Sequence, residues 1–266
     1  MKIPSLSLVA SAMAWACIAP AAFAEPSSAY LAPHLEVGES LSSVFSKAMA
    51  ITGPGFQDVV KRISGTSDEV VRAIHGNEII FNGSGVYDGR PAQKWIHRRL
   101  KDGITDCWNG QCNVNDQTSG TIFNRYLWGN APRDVHVGAS WAVVIAKPWE
   151  IGPQGSEQVR VLRLDPLNHV ITLTREGSGA GPSSDDAYKN TITITTSIGK
   201  TLDVRVVPGE SHWTGYTTVR EGVIIADEIL VERHVTLIAG TGQKFEGEQR
   251  TYTLENLASD SRDARG

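Results

Sequence analysis

Five short turn signals divide most of the chain into segments of strand length, and their spacing constrains the fold more than any other feature. Asp88-Gly89, Asp102-Gly103 and Asn109-Gly110 follow one another with strand-length runs between them, among them residues 93–100. Asp165-Pro166-Leu167-Asn168 and Glu221-Gly222 supply the other two. Asn-Gly and Asp-Gly favour two-residue hairpins because a type I′ turn needs positive φ at both central positions. In the four-residue signal, Asp165 suits the first turn position, Pro166 presets φ at the second, and Asn168 tolerates the left-handed conformation that closes the loop. The runs between the turns alternate. Ile192 and Ile194 sit among threonines, and Leu202, Val204 and Val206 interleave with Asp203 and Arg205. Ile229, Val231, Val235 and Leu237 interleave with Leu230, Glu232, His234 and Thr236. A period of two places one face on a core and the other in water or against a ligand, as antiparallel meanders do and parallel α/β sheets do not.

Before these runs the pattern changes. Ser40 can cap a helix carrying Leu41, Val44, Phe45, Ala48 and Met49 at spacings of three and four, ended by Gly53-Pro54-Gly55. Ser67 with Asp68 and Glu69 opens a second, with Val70, Val71 and Ile74 apolar and Gly76 as its stop. Between them Val59, Val60 and Ile63 favour one face of a third. The expected fold is therefore mainly β: a long antiparallel meander of ten or more strands, curved into a half barrel or a barrel, with two or three short N-terminal helices.

The first 24 residues read as a cleaved leader. Met1-Lys2 is a short basic start, Ile3 to Ala16 is largely apolar, and Ala22-Phe23-Ala24 gives the small residues a signal peptidase reads, which places cleavage after Ala24. The apolar run is broken by Pro4 and three serines, too short for a spanning helix, and no later segment qualifies. Lipidation at Cys17 is the rival reading, disfavoured by the bulky Trp15 where such sites carry small residues. Residues 25–37 read as an exposed lead-in, 38–257 as a single β-rich domain, and 258–266 as a frayed tail. Loss of the leader removes only the charge of Lys2, so the formal net charge goes from −4 to −5, which disfavours a nucleic-acid partner. Cys107 and Cys112 are then the only cysteines, placed symmetrically about Asn109-Gly110. If Trp108 and Gln111 close that turn as a hydrogen-bonded pair, the cysteines form the next pair, with Cα atoms roughly 4.5 to 5.5 Å apart and a disulfide within reach. The expected location is periplasmic or extracellular. In element order and leader the chain resembles the half-barrel carriers of bacterial envelope lipoproteins; the resemblance implies architecture alone, because no residue motif carries it.

The residues that could carry chemistry are scattered. No two histidines stand at a ligand spacing and the His-Glu-x-x-His pattern is absent, so neither metal nor cofactor is expected. Glu246 and Glu248 share a strand face, but so do Lys244 and Arg250, the pattern of a solvated face with cross-paired charges. Ser211 and His212 are adjacent and so point to opposite faces of a strand. Aromatic side chains remain: Trp141, Trp149, Trp213 and Tyr216 are the candidate ligand-binding residues, since such rings pack on apolar or sugar surfaces. The expected function is non-catalytic binding of an apolar or glycan-like ligand, such as a lipid or glycan, or of an envelope protein, on a curved sheet. One alternative is an envelope hydrolase assembled across strands from His212, Asp227 and Glu228. A second is a structural or assembly component of the envelope.

Overall fold

Alternation of inward and outward side chains organises the chain from Ser40 to Asp260, including the part whose spacing suggests helix. The computed structural model describes residues 25–100, 103–108, 111–115, 129–184, 186 and 190–260, with the backbone alone at 25, 97–100, 103–108, 111–115 and 259. The leader, the Asp102 and Asn109-Gly110 turn residues, and 261–266 of the tail lie outside the described residues. After a short strand β1 (Glu25–Pro26) and helix α1 (Ser28–Leu31) come β2 (Ser40–Thr52), β3 (Val59–His75), β4 (Glu78–Tyr87) and β5 (Gln93–Leu100). They are followed by β6 (Gly103–Trp108), β7 (Gln111–Asn115), β8 (Asp134–Val135), β9 (Ser140–Ile145) and β10 (Gly155–Asp165). The last five are β11 (Val170–Ala180), β12 (Thr191–Thr195), β13 (Thr201–Arg220), β14 (Val223–Ala239) and β15 (Lys244–Asp260).

Thirteen of these strands form one antiparallel sheet in the order β7-β6-β5-β4-β3-β2-β15-β14-β13-β11-β10-β9, with β12 also on β13. The chain meanders outward from β2 to β7, reappears at the opposite edge as β9, and meanders back until β15 pairs with β2. That is the strand order of an up-and-down barrel left open at one seam, because among the described residues β7 and β9 do not pair. The sheet is not closed into a barrel. One end is nonetheless ringed: Phe56 bridges Thr196, and Gln57 N–H donates to the Thr195 carbonyl at 2.7 Å, so β12 touches the turn after β2. Ile51, Phe56, Ile194, Val204, Val235, Leu237 and Phe245 fill this ring. The register of β13 on β14 shifts between Pro208 and Ser211; a proline, lacking an N–H, belongs at such a bulge, and it divides β13 into a half on β12 and a half on β11.

The short helices expected over 40–49 and 67–74 are instead strands β2 and β3. In β2 the inner positions are Leu41, Ser43, Phe45, Lys47, Met49 and Ile51. Ser43 and Lys47 on this face conceal the period of two, while Leu41, Phe45 and Met49 stand four apart, a step that strand and helix both put on one face. The N-terminal helix that is present, α1, lies in the segment expected to be an exposed lead-in. It carries Tyr30 and Leu31, 1% and 7% exposed, into the core under β9, β10, β11 and β13. This segment is a strap. It starts on β8, crosses the β13–β14 turn where Gly222 N–H donates to the Tyr30 carbonyl at 2.7 Å, and reaches β3 through Gly38 N–H to the Val71 carbonyl at 2.8 Å. The start of the expected tail is also structural, since the buried Asp260 accepts from Arg220 at 2.8 Å.

The turns follow the sequence closely. Asp88-Gly89 and Glu221-Gly222 have positive φ at both residues, 48° and 67°, 49° and 75°. Cys107 faces Cys112 and Trp108 faces Gln111 across β6 and β7, the register an Asn-Gly turn imposes; the cysteine side chains lie outside the described residues. One turn differs: His169 (φ 49°), not Asn168, takes the left-handed position, and Asn168 N–H instead donates to Asp165 Oδ1 at 3.3 Å.

Large rings rest on glycines of neighbouring strands. Trp95 of β5 lies across Gly83 of β4, where an added Cβ would stand 1.9 Å from the indole nitrogen. Gly83→Ala must displace a buried ring and is expected to cost about 1–3 kcal/mol, a fall in Tm of roughly 2–4 °C per kcal/mol. Gly240→Ala, which meets nothing within 4 Å, should leave Tm unchanged in the same thermal melt. Equal melting of the two variants would contradict the packing of Trp95 on β4.

Candidate functional site

The inner face of the open sheet is unusually polar, and its charges fall into three groups. The first lies between β10, β11 and β13. Trp213 Nε1 donates to Glu157 Oε2 at 2.8 Å, and Arg175 Nε donates to both oxygens of the same carboxylate at 3.2 Å. Trp149 meets Trp213 edge-on at 5.9 Å, and the Arg175 guanidinium carbon lies 5.6 Å from the Trp149 ring centre. All four side chains are buried. Glu157 and Arg175 thus neutralise each other away from water, and loss of either would leave the other charge buried at a cost of roughly 3–5 kcal/mol.

The second group stands at the junction of β14, β15 and β2. Asp227 and Glu255 are directly opposed in register and both face inward. Thr217 Oγ1 donates to Asp227 Oδ1 at 2.5 Å; Ser43 Oγ donates to Glu255 Oε1 at 3.0 Å and lies 2.7 Å from Ser67 Oγ. Burial, reinforced by Asp227, Glu69 and Glu150, pushes the Glu255 carboxyl up to about 7 against the pull of the Ser43 hydrogen bond. Burial raises Asp227 as well, opposed by Arg175 and by the Thr217 hydrogen bond. The Tyr87 hydroxyl, buried near Glu69, Glu255 and Glu150, is pushed up to about 12. Two carboxyls opposed in a dry site do not both ionise readily, so this pair retains a proton toward neutral pH.

The third group surrounds a cavity of ≈ 300 Å³. Its apolar wall is Met49, Ile51, Ile63, Ile151, Ile192 and Val206. Its polar lining includes Lys47, Lys61, Glu150, Arg233, Asp186 and Gln249. Lys47 Nζ reaches Glu150 Oε1 at 3.2 Å. Arg233 grips Asp186 with two bonds of 2.6 and 2.8 Å and gives two more, at 3.1 and 3.0 Å, to Gln249 Oε1. Burial works against the Asp186 charge, but the Arg233 fork prevails and holds the carboxyl below the usual range.

The residues singled out from sequence do not converge. His212 is exposed on the outer face, 3.9 Å from Glu210. Glu228 also faces outward while Asp227 faces inward, as neighbours on a strand must, so the trio His212, Asp227 and Glu228 cannot act together. Tyr216 is 53% exposed on the outer surface. Trp141 is half-buried against the core of β9 to β11, and Trp149 and Trp213 are buried within it; none of the four lines the cavity. Glu246 and Glu248 do form a solvated, cross-paired face, with His234 between them at 2.9 and 3.1 Å. Among the described residues no three His, Cys, Asp or Glu side chains gather to hold a metal ion. Sequence reasoning passed over Lys47, Met49, Lys61 and Glu255. Read at period two, an inward Lys47 between Phe45 and Met49 is the signal that finds them.

The acid pair has a signed consequence for stability. A carboxyl raised in the folded state holds a proton that the unfolded chain has already released, so its stabilising contribution is complete below the ordinary pKa near 4.5 and is lost as pH rises to about 7. The Tm of the wild type is expected to fall between pH 5 and pH 8, and Glu255→Gln to flatten that fall and to melt higher than wild type at pH 8. A wild-type Tm that rises over this range, or a variant with unchanged slope, would contradict the assignment.

No protein-family model and no curated protein matches this chain. Among solved structures it is similar to a protein of unknown function from the DUF3598 family of Nostoc punctiforme PCC 73102, at 11% identity and a TM-score of 0.16, over 84% of this chain and 96% of that one.

Proposed function

We propose that the protein is exported to the cell envelope and there binds a small, largely apolar ligand in the cavity beside β2 and β3, without catalysis. The cavity carries this reading: six aliphatic or thioether side chains form one wall, and of the five charged groups around them four are held in two ion pairs. Such a balance suits a ligand that is apolar along its body and polar at one place. A glycan platform is less well supported, because Trp149 and Trp213 are buried and Tyr216 stands on the outer face. Export rests on the leader-like residues 1–24 and on the register of Cys107 with Cys112, which suits a disulfide. Denatured protein recovered from the envelope fraction is expected to carry no free thiol by thiol titration; two free thiols would remove that support.

A hydrolytic reading keeps one observation, the opposed carboxyls Asp227 and Glu255, one of which sits near neutral pH. Neither lines the cavity, and the His212 and Glu228 that this reading also needs face the opposite side of the sheet.

The binding reading is tested with the neutral fluorescent probe N-phenyl-1-naphthylamine. Saturable one-to-one binding is expected, abolished by Met49→Trp and by Ile192→Phe, two variants that fill the cavity from different strands, with folding followed by circular dichroism. Absence of saturable binding, or binding that survives in a folded variant, would overturn it.

A further inference from the structure

We propose that the polar end of the ligand is a single anionic group, held by Lys61 with Lys47 beside it, while the apolar remainder lies along Met49, Ile51 and Ile63. The inference rests on the cavity reading above and adds the chemical class of the ligand: an amphiphile with one carboxylate, sulfonate or phosphodiester head.

Charge and register carry it. Three cations, Lys47, Lys61 and Arg233, and two carboxylates, Glu150 and Asp186, line the cavity. Arg233 is committed to Asp186 and Gln249, and Lys47 to Glu150. Lys61 has no carboxylate within ion-pair distance among the described residues. Across β2 and β3, Met49 faces Lys61 and Lys47 faces Ile63, so the two lysines occupy diagonal positions on one face. Diagonal side chains leave the sheet about 7–8 Å apart, close enough for one anion to touch both ammonium groups. Two like charges at that separation repel, and Glu150 offsets only one of them. A monoanion completes the pairing; a cation would add to the excess. The lysine stems also extend the apolar wall while their heads stay at its polar margin. The opposed acids Asp227 and Glu255 do not line the cavity, so they do not meet the head directly.

The test compares three octyl compounds that differ only at the head: octane-1-sulfonate, octan-1-ol and octyltrimethylammonium, by isothermal titration calorimetry at low ionic strength. The sulfonate is expected to bind about tenfold more tightly than the cation, as an ionic hydrogen bond predicts, with octanol between. Lys61→Glu should remove that preference, weakening the sulfonate far more than octanol, and Lys61→Arg should keep it. Equal binding of the three heads, with octanol displaced by Met49→Trp, would overturn this inference and leave the cavity reading standing. A sulfonate preference untouched by Lys61→Glu would overturn the role given to Lys61. Failure of all three compounds to bind would remove both readings.

Discussion

The pairing of β2 with β15 is the constraint on which the rest of the molecule depends. It joins a meander that starts at Ser40 to one that ends at Asp260, across more than two hundred residues of chain, and the acid pair Asp227 and Glu255 and the cavity cations Lys47, Lys61 and Arg233 lie on this seam or one strand from it. Lys47 faces Thr253, Met49 faces Thr251, and Phe45 faces Glu255. Because side chains alternate strictly, a slip of one residue would turn Leu41, Phe45, Met49 and Ile51 to solvent and bring Ser42, Val44, Ser46 and Ala48 inside. The inner face of β2 therefore fixes the register, and the register places the cavity lysine beside its wall. A contact so distant in sequence forms at high entropic cost, which suits the slow folding of non-local β topologies.

An interior that holds Glu157, Arg175, Asp227, Glu255 and Glu69 is a costly one. Two solutions operate side by side. Glu157 and Arg175 neutralise each other within bonding distance and are enclosed by Trp149 and Trp213. Among the described residues no cation touches Asp227 or Glu255, which lean instead on hydroxyl donors and on a retained proton. The first arrangement orders a core; the second leaves a titratable pair at the centre of the seam. The cavity takes a third course, with its cations and carboxylates paired except at Lys61.

What the sequence made legible follows from where the alternation is clean. β13 and β14 carry runs of inward apolar residues, Leu202, Val204 and Val206 on one and Ile229, Val231, Val235 and Leu237 on the other, and their hairpin at Glu221-Gly222 has the backbone that the dipeptide demands. The register of Cys107 on Cys112 was readable for the same reason, since a two-residue turn leaves one pairing. β2 and β3 misled because their inward positions include Ser43, Lys47, Ser67 and Glu69, which break the hydrophobic period where the interior is polar. The strap was hidden by its low periodicity: Tyr30 and Leu31 are anchors without a pattern around them. The candidate site was missed with β2, because Lys47 and Lys61 become notable only when their strands are known to face inward. Of the tryptophans singled out, Trp149 and Trp213 are buried in the core and Trp141 is half-buried against it, and none of them lines the cavity.

The seam itself can be observed directly by nuclear Overhauser contacts in the folded protein. Cross-strand contacts between the backbones of Met49 and Thr251 and of Lys47 and Thr253 are expected, with none linking residues three apart within 41–49. A helical pattern of contacts through 41–49, with no contact to 249–257, would contradict the account.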